Sequence, residues 1–487
     1  MIVMKFGGSS VASAAAIERV AGIVKSHIEV RPVVVVSAMG TTTDRLVEAL
    51  QYASQGFAYS AWRRLEDLRR YHIQETQRLL GCHARKFIET HIAPKFQALH
   101  ALLVEIEEGK KLTPELQDKV LSYGERLSSA IIAAAFERSG IHCCHVDATE
   151  VIITDEQHLG AAPIYSETYA RLRRTVAKLA RNRVVVMGGF IGATRNGIAT
   201  TLGRGGSDLS ASIVGAGISA DEIQIWTDVD GMLTSDPRVF HGAYRLRSLG
   251  YDEAEEMARL GAKVLCPRTV QPAMRQGIPI VIRNARHPEG DGTRIGAQTP
   301  RPSTVKAIVS KTGMTTVHLF VTKLGMLPCV STGLSDLFER NQVHVEMVQA
   351  QPDGVSFALE SSPRLAELLQ GVDRSVRITV QERTAVVSLI GDTINSDEAI
   401  LKRALSAILN DSGVRMVSQG GSQKSLRFAV PESKLRVTVE NLHREFFRSA
   451  DPEIFASTPG SDRTLFTRRF ARIATEAPAN AHAVPVR

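Results

Sequence analysis

Aromatic residues make up only 5% of this 487-residue chain, and just two of them are tryptophan. No clustered run of basic residues accompanies them, so a nucleic-acid surface built on stacking and cation patches is not expected. Lys and Arg (59) outnumber Asp and Glu (51), leaving a formal charge of +8, but the surplus is spread along the chain and suits anionic small substrates equally well. Cysteine is scarce. The five present show no CxxC spacing and no ligand-like pairing with histidine, which argues for free thiols in a reducing compartment. Also missing is any apolar run of about 18 residues, the length a membrane-spanning helix needs. The opening MIVMKFGGSS has no signal-peptide core and reads as a strand. A cytoplasmic chain without membrane or nucleic-acid partners is the expectation.

What is present is an alternation of strands and helices. IVMKF is an apolar strand, GGSS a turn, and the next segment places Val11, Ile17, Val20, Ile23 and Val24 on one helical face. PVVVVSAM follows as a strand apolar on both faces, so the first 50 or so residues read as a βαβ unit of a buried parallel sheet. Residues from about Leu46 to Leu121 read as a helical elaboration, closing with a helix opened by Glu125 and Arg126 and stopped at Gly140. CCHVDA, Val184–Ala193, EIQIWT and Ile278–Ala285 supply further strands. The pattern predicts an α/β fold with an open, mostly parallel sheet sandwich over residues 1–298.

The Pro/Thr/Ser-rich AQTPRPSTV marks a domain join. Beyond it a βαββα pattern occurs twice at a spacing of about 70 residues, which with one more strand each makes two ferredoxin-like βαββαβ units. Their expected extents are 299–382 and 383–450. The remainder, 451–487, is Ala/Pro-rich at its end and is expected to be poorly ordered.

Three strand ends carry glycine-rich or polar loops: KFGGSS, SAMGTTTD and TTLGRGGSD. Ligands of open α/β sheets bind at the carboxyl ends of strands, so these loops should converge. Lys5 beside Gly7, Gly8 and Ser9 suits a phosphate held on backbone N–H groups, although a surface lysine before a turn reads the same way. Arg204 can grip a carboxylate or phosphate through two donors, and Asp208 can orient a lysine. WTDVDG, with Thr227 and Asp228, and DPR, with Arg238, fit a nucleotide pocket or plain turns. Lys263 in GAKVLCPRT is a second candidate phosphate contact.

In this order, KFGGSS, VVVVSAMGTTTD, GERLS, TTLGRGGSD, WTDVDG, DPR and GAKVL.PRT resemble aspartate kinases of the amino-acid kinase superfamily. The C-terminal repeat resembles the paired ACT domains of that family. The resemblance implies phosphoryl transfer from ATP, with Mg2+ held mainly by phosphates, to the β-carboxylate of L-aspartate. That reaction opens the route to lysine, threonine and methionine. By position, Lys5, Gly7, Gly8, Ser9 and Lys263 would hold the phosphates, and Thr227, Asp228 and Arg238 would line the nucleotide pocket. Ser37, Thr43, Glu125 and Arg204 would hold the amino acid, and Asp208 would organise the lysines. Val345 and Glu346 fall where relatives bind an end-product effector, and the ACT domains would pair subunits into a homodimer or homotetramer. Three departures stand out: Cys266 replaces a histidine, Leu233 replaces a tyrosine, and in the first ACT repeat LGMLPCVSTGLSDLFERN differs from the usual glycine-containing loop before the helix. Other amino-acid kinases acting on glutamate or carbamate, and an inactive effector-binding paralogue, are the alternative readings.

Overall fold

The computed structural model describes residues 1–262, 264–297, 304–321, 327–370, 376–419, 423–449 and 451–456. Strand β1 (Ile2–Phe6), helix α1 (Ala14–Lys25) and strand β2 (Pro32–Val36) form the expected βαβ unit, with β1 and β2 parallel. All five residues of each strand are buried. Each fully buried Val, Ile or Met side chain contributes roughly 1.5–3 kcal/mol, so these two strands are the natural centre of the sheet.

The helical elaboration follows as α2 (Thr42–Ser54), α3 (Ala58–Leu80), α4 (Ala84–Phe87), α5 (Ala93–Gly109) and α6 (Pro114–Arg138). Glu125 and Arg126 do not open a helix; they sit in the middle of α6. The true start signal lies earlier, where the Thr113 side chain accepts from Leu116 N and Pro114 takes the first helical position. Gly124 survives in the helix interior because Ala38 crosses so closely that an added Cβ would lie 3.0 Å from its Cβ.

Strand β3 (Cys143–Val146), helices α7 (Tyr165–Arg174) and α8 (Val176–Leu179), and strand β4 (Val184–Gly188) come next. The apolar run 184–193 is not one strand. It breaks at Phe190, whose φ of 64° turns the chain into β5 (Ile191–Ala193), which pairs with β6 (Ala199–Thr201). Then follow α9 (Gly206–Ile218), β7 (Glu222–Thr227), β8 (Arg245–Leu246), β9 (Ser248–Gly250), α10 (Tyr251–Arg259), α11 (Pro267–Gln276), β10 (Ile280–Asn284) and β11 (Thr293–Gly296). The sheet order is β3-β4-β2-β1-β7-β10-β11-β9, parallel from β3 through β10, with β11 antiparallel to β10. The chain leaves β1 toward β2 on one side and returns to its other side with β7, which makes the β1/β7 edge a topological switch point.

The C-terminal repeat consists of β12 (Ala307–Val321), α12 (Leu327–Arg340), β13 (Val345–Gln351), β14 (Gly354–Glu360), α13 (Leu365–Gln370), β15 (Val376–Ile390), α14 (Glu398–Ile408), β16 (Met416–Ser418), β17 (Ser425–Pro431) and α15 (Leu435–Phe447). Its six strands form one sheet ordered β13-β14-β12-β15-β17-β16. The second half of β12 pairs with β14 and the first half of β15, while the first half of β12 pairs with the second half of β15. Each ferredoxin-like unit therefore has four strands, and the second unit draws its fourth from ahead of the first. The two long strands change units where Gly313 (φ 72°) and Arg383 (φ 49°) interrupt the register.

One apolar cluster runs from the parallel sheet (Leu249, Ile282) into the second unit (Val387, Phe428), whereas the first unit has its own core around Phe338 and Phe357. Residues 451–456, expected to be poorly ordered, instead return to the large sheet's side. There β18 (Phe455–Ala456) pairs with β8, and Ile454 is buried, so an apolar triplet overrides the polar surroundings. Residues 457–487 lie outside the described set. Among the described residues no helix is long and apolar enough to cross a membrane.

Candidate active site

Lys5 projects from β1 onto the face covered by α9 and is 8% exposed. A lysine so buried needs a counter-charge, and Asp208 in the first turn of α9 supplies it, with Nζ to Oδ1 at 2.5 Å. The helix can bring Asp208 this close because its N-cap is Gly205, at φ 71°, a conformation glycine adopts at no steric cost. A Cβ on Gly205 would meet the Cβ of Cys266 at 2.3 Å. Cys266 thus fills the space behind the loop, and its thiol donates to the Arg204 carbonyl at 3.4 Å.

The KFGGSS and SAMG loops lock together beside this pair. Ser37 N donates to Phe6 O at 3.1 Å and Gly40 N to Gly8 O at 3.1 Å. A side chain at Gly8 would press on the Ala38 carbonyl at 3.0 Å, so the close approach of the two loops favours glycine. Glu125 reaches the same place from α6. It is 3% exposed; Oε1 accepts from Ala38 N at 3.1 Å, while Oε2 is buried without a hydrogen-bond partner. Burial pushes its carboxyl up to about 8, against the opposing pull of the backbone donors and of the Lys5 charge.

A cleft of about 710 Å³ at the carboxyl ends of β1, β2 and β4 joins these groups. Lys5, Gly8, Ser37, Thr43 and Glu125 line it, as do Arg204 and Asp208 on the loop into α9. It combines a lysine paired to an aspartate, an exposed arginine, a buried carboxyl and the N-terminus of α9. That set can hold two anions, one of them carrying an ammonium group, in mutual contact.

The other expected residues stand elsewhere. Gly7 shapes the turn, donating to Trp226 O at 3.2 Å, and Ser9 is exposed on the 3-10 turn that follows. Thr227 ends β7 across the switch point and Asp228 follows it, with the threonine hydroxyl donating to Asp228 at 3.2 Å. Arg238 is exposed and forks onto Asp236, its nearest contact at 2.6 Å. Lys263 lies outside the described residues. Val345 opens β13, and Glu346 is buried between Lys311 (3.2 Å) and Arg427 (3.6 Å). Arg427 in turn reaches Glu256 of α10 at 3.3 Å, so Glu346 belongs to a charge network joining the regulatory sheet to the kinase side.

Sequence reading missed Gln117, Leu159, Phe190 and Thr201, all of which line the cleft. Gln117 lies eight residues before Glu125, about two helical turns, so a correct start for α6 would have pointed to it. Nothing local marks Leu159.

Residues 1–284 match the model of the amino acid kinase family. Aspartokinase 1, chloroplastic, of Arabidopsis thaliana is 33% identical, over 92% of this chain and 80% of its own length. Lysine-sensitive aspartokinase 3 of Escherichia coli K12 is 29% identical, over 92% of this chain and 99% of its own. Among solved structures, E. coli aspartokinase III with aspartate and ADP is 28% identical and aligns with a TM-score of 0.76, covering 92% of this chain and 100% of that one. The same enzyme with lysine and aspartate gives 0.79, covering 92% and 99%. This chain belongs to the amino acid kinase family and, within it, to the aspartokinases.

Proposed function

We propose that the cleft transfers the γ-phosphoryl group of ATP to the β-carboxylate of L-aspartate, giving 4-phospho-L-aspartate and ADP. The observation that carries this reading is the buried Lys5–Asp208 pair facing Arg204 and Glu125 across one cleft. A carboxylate oxygen attacks the γ-phosphorus while the bond to the β,γ-bridging oxygen breaks. No proton moves, so no general base is required. Catalysis then rests on positioning and on cations around the spreading negative charge.

Lys5 meets the transferring phosphoryl oxygens, and Asp208 holds its ammonium in place. Arg204 takes a carboxylate of aspartate, and Glu125, once ionised, takes its ammonium. Ser37 and Thr43 complete that side. Gly7, Gly8 and Ser9 cradle phosphate, Thr227, Asp228 and Arg238 stand on the nucleotide side, and Lys263 serves the phosphate end. Among the described residues no group of three or more His, Cys, Asp or Glu is placed to hold a metal. Mg2+ would enter on the ATP phosphates and add to the charge that offsets them.

The kinase unit is taken as 1–298, with regulatory units at 299–382 and 383–450 that share β12 and β15. An end-product amino acid bound near Val345 and Glu346 would have to compete with Lys311 and Arg427 for the glutamate. Pairing of these units between subunits would give a dimer or tetramer.

The test is to supply MgATP and L-aspartate and trap the acyl phosphate with hydroxylamine. Hydroxamate from aspartate is expected. Turnover of glutamate with none of aspartate would overturn the reading.

A further inference from the structure

Asp118 has no part in the chemistry above, yet it is fully buried, on α6 seven residues before Glu125. A carboxylate without solvent is tolerated only where donors satisfy its oxygens. Oδ1 accepts from the Thr201 hydroxyl at 2.5 Å, and Oδ2 accepts from His158 Nδ1 at 2.8 Å and Leu159 N at 3.0 Å. These donors come from two segments that wall the cleft, and neither segment is otherwise part of α6.

Both segments lead to the amino-acid side. Leu159 is held at φ 65°, a strained region for a residue with a side chain, and it lines the cleft while 40% exposed. Its carbonyl and Gly160 Cα lie so close to Gly203 that an added Cβ there would be 3.3 Å from each. Ala161 N donates to Thr201 O at 2.9 Å, which ties the same two segments a second time. Arg204 follows Gly203 directly.

We infer that Asp118 is a positioning residue for the amino-acid half of the cleft. From the helix that carries Glu125, it pins the 158–160 loop and the Thr201–Arg204 segment, so that the ammonium anchor and the carboxylate anchor keep a fixed separation. The inference rests on the proposed function for the identity of the acceptor, but not for the role of the clamp.

Steady-state kinetics of Asp118→Asn test it, with KM measured separately for the amino acid and for ATP. Losing a charged acceptor should raise the amino-acid KM by about tenfold or more, with the ATP KM changed less than about twofold. Thr201→Val removes one donor and keeps the carboxylate; it should raise the amino-acid KM by about threefold and serves if the first variant does not fold. Calorimetric binding of ADP to each variant checks the nucleotide side without turnover. Equal loss for both substrates, or no change in either, overturns the inference. Should the wild type prefer a different amino acid, the same split measured with that acceptor decides the matter, separately from the proposed function.

Discussion

The two halves of the cleft are built differently. On the side of β1, β2 and β4 most of the charged groups are buried and tied down, Lys5 to Asp208, Glu125 to Ala38 N and Asp118 to three donors, with Arg204 the exposed exception. Across the β1/β7 switch point the groups are exposed, with Asp228 open to solvent and Arg238 paired through an exposed fork onto Asp236. Buried, fixed charges need no reorganisation when charge develops in a transition state, whereas exposed ones are screened and mobile. The inner half should therefore govern turnover and the choice of amino acid, and the outer half should only assist nucleotide binding.

The largest effect that would test this contrast is on turnover. Lys5→Met should lower kcat by about a hundredfold to a thousandfold, the usual consequence of losing a fixed charge aimed at the reacting group. Single-turnover measurement at saturating ATP reads this directly. A loss confined to the KM for ATP would break the comparison, because Lys5 would then be a binding group like those across the switch point.

A smaller but more diagnostic effect concerns pH. Burial raises the Glu125 carboxyl from 4.5 to about 8, so the free enzyme binds this proton more tightly than the unfolded chain does. The stability it contributes is fully present below 4.5 and is lost as pH rises toward 8. An incoming ammonium favours the ionised form, so the KM for aspartate should fall as pH rises through the same range. Glu125→Gln should flatten both profiles and raise that KM by about tenfold. Thermal melts and initial rates between about pH 4 and about pH 9, a range that contains both pKa values, provide the check. A Glu125→Gln enzyme that keeps the wild-type slope would assign the titration to another group.

The smallest effect is expected at Arg238. Because its pairing with Asp236 is exposed, Arg238→Ala should leave the melting temperature unchanged and raise the ATP KM by no more than about threefold. A loss as large as that of Lys5→Met would show that the outer half closes over the nucleotide and becomes as organised as the inner one.

Much of the inner half was legible in the sequence because its loops advertise themselves locally. Glycines at 8, 203, 205 and 206 stand where backbone must turn tightly or pass close to another segment, and such needs restrict the residue type directly. Apolar runs such as PVVVV likewise declare a strand buried on both faces. Glu125 was found by its motif but given the wrong surroundings, since the Thr113–Pro114 helix start was passed over.

The amino-acid sequence by itself thus determined the order of elements, the parallel sheet with its glycine loops, the duplicated C-terminal unit and most of the charged residues that reach the cleft. Only the tertiary structure decided what each charge faces. Pairing Lys5 with Asp208, clamping Asp118 onto Thr201 and Leu159, sharing β12 and β15 between two units, and sealing Glu346 against Arg427 all join residues far apart in the chain. The reason is physical. Local backbone preferences are written over a few neighbouring residues, but whether a buried charge is satisfied depends on which distant segment the fold packs against it.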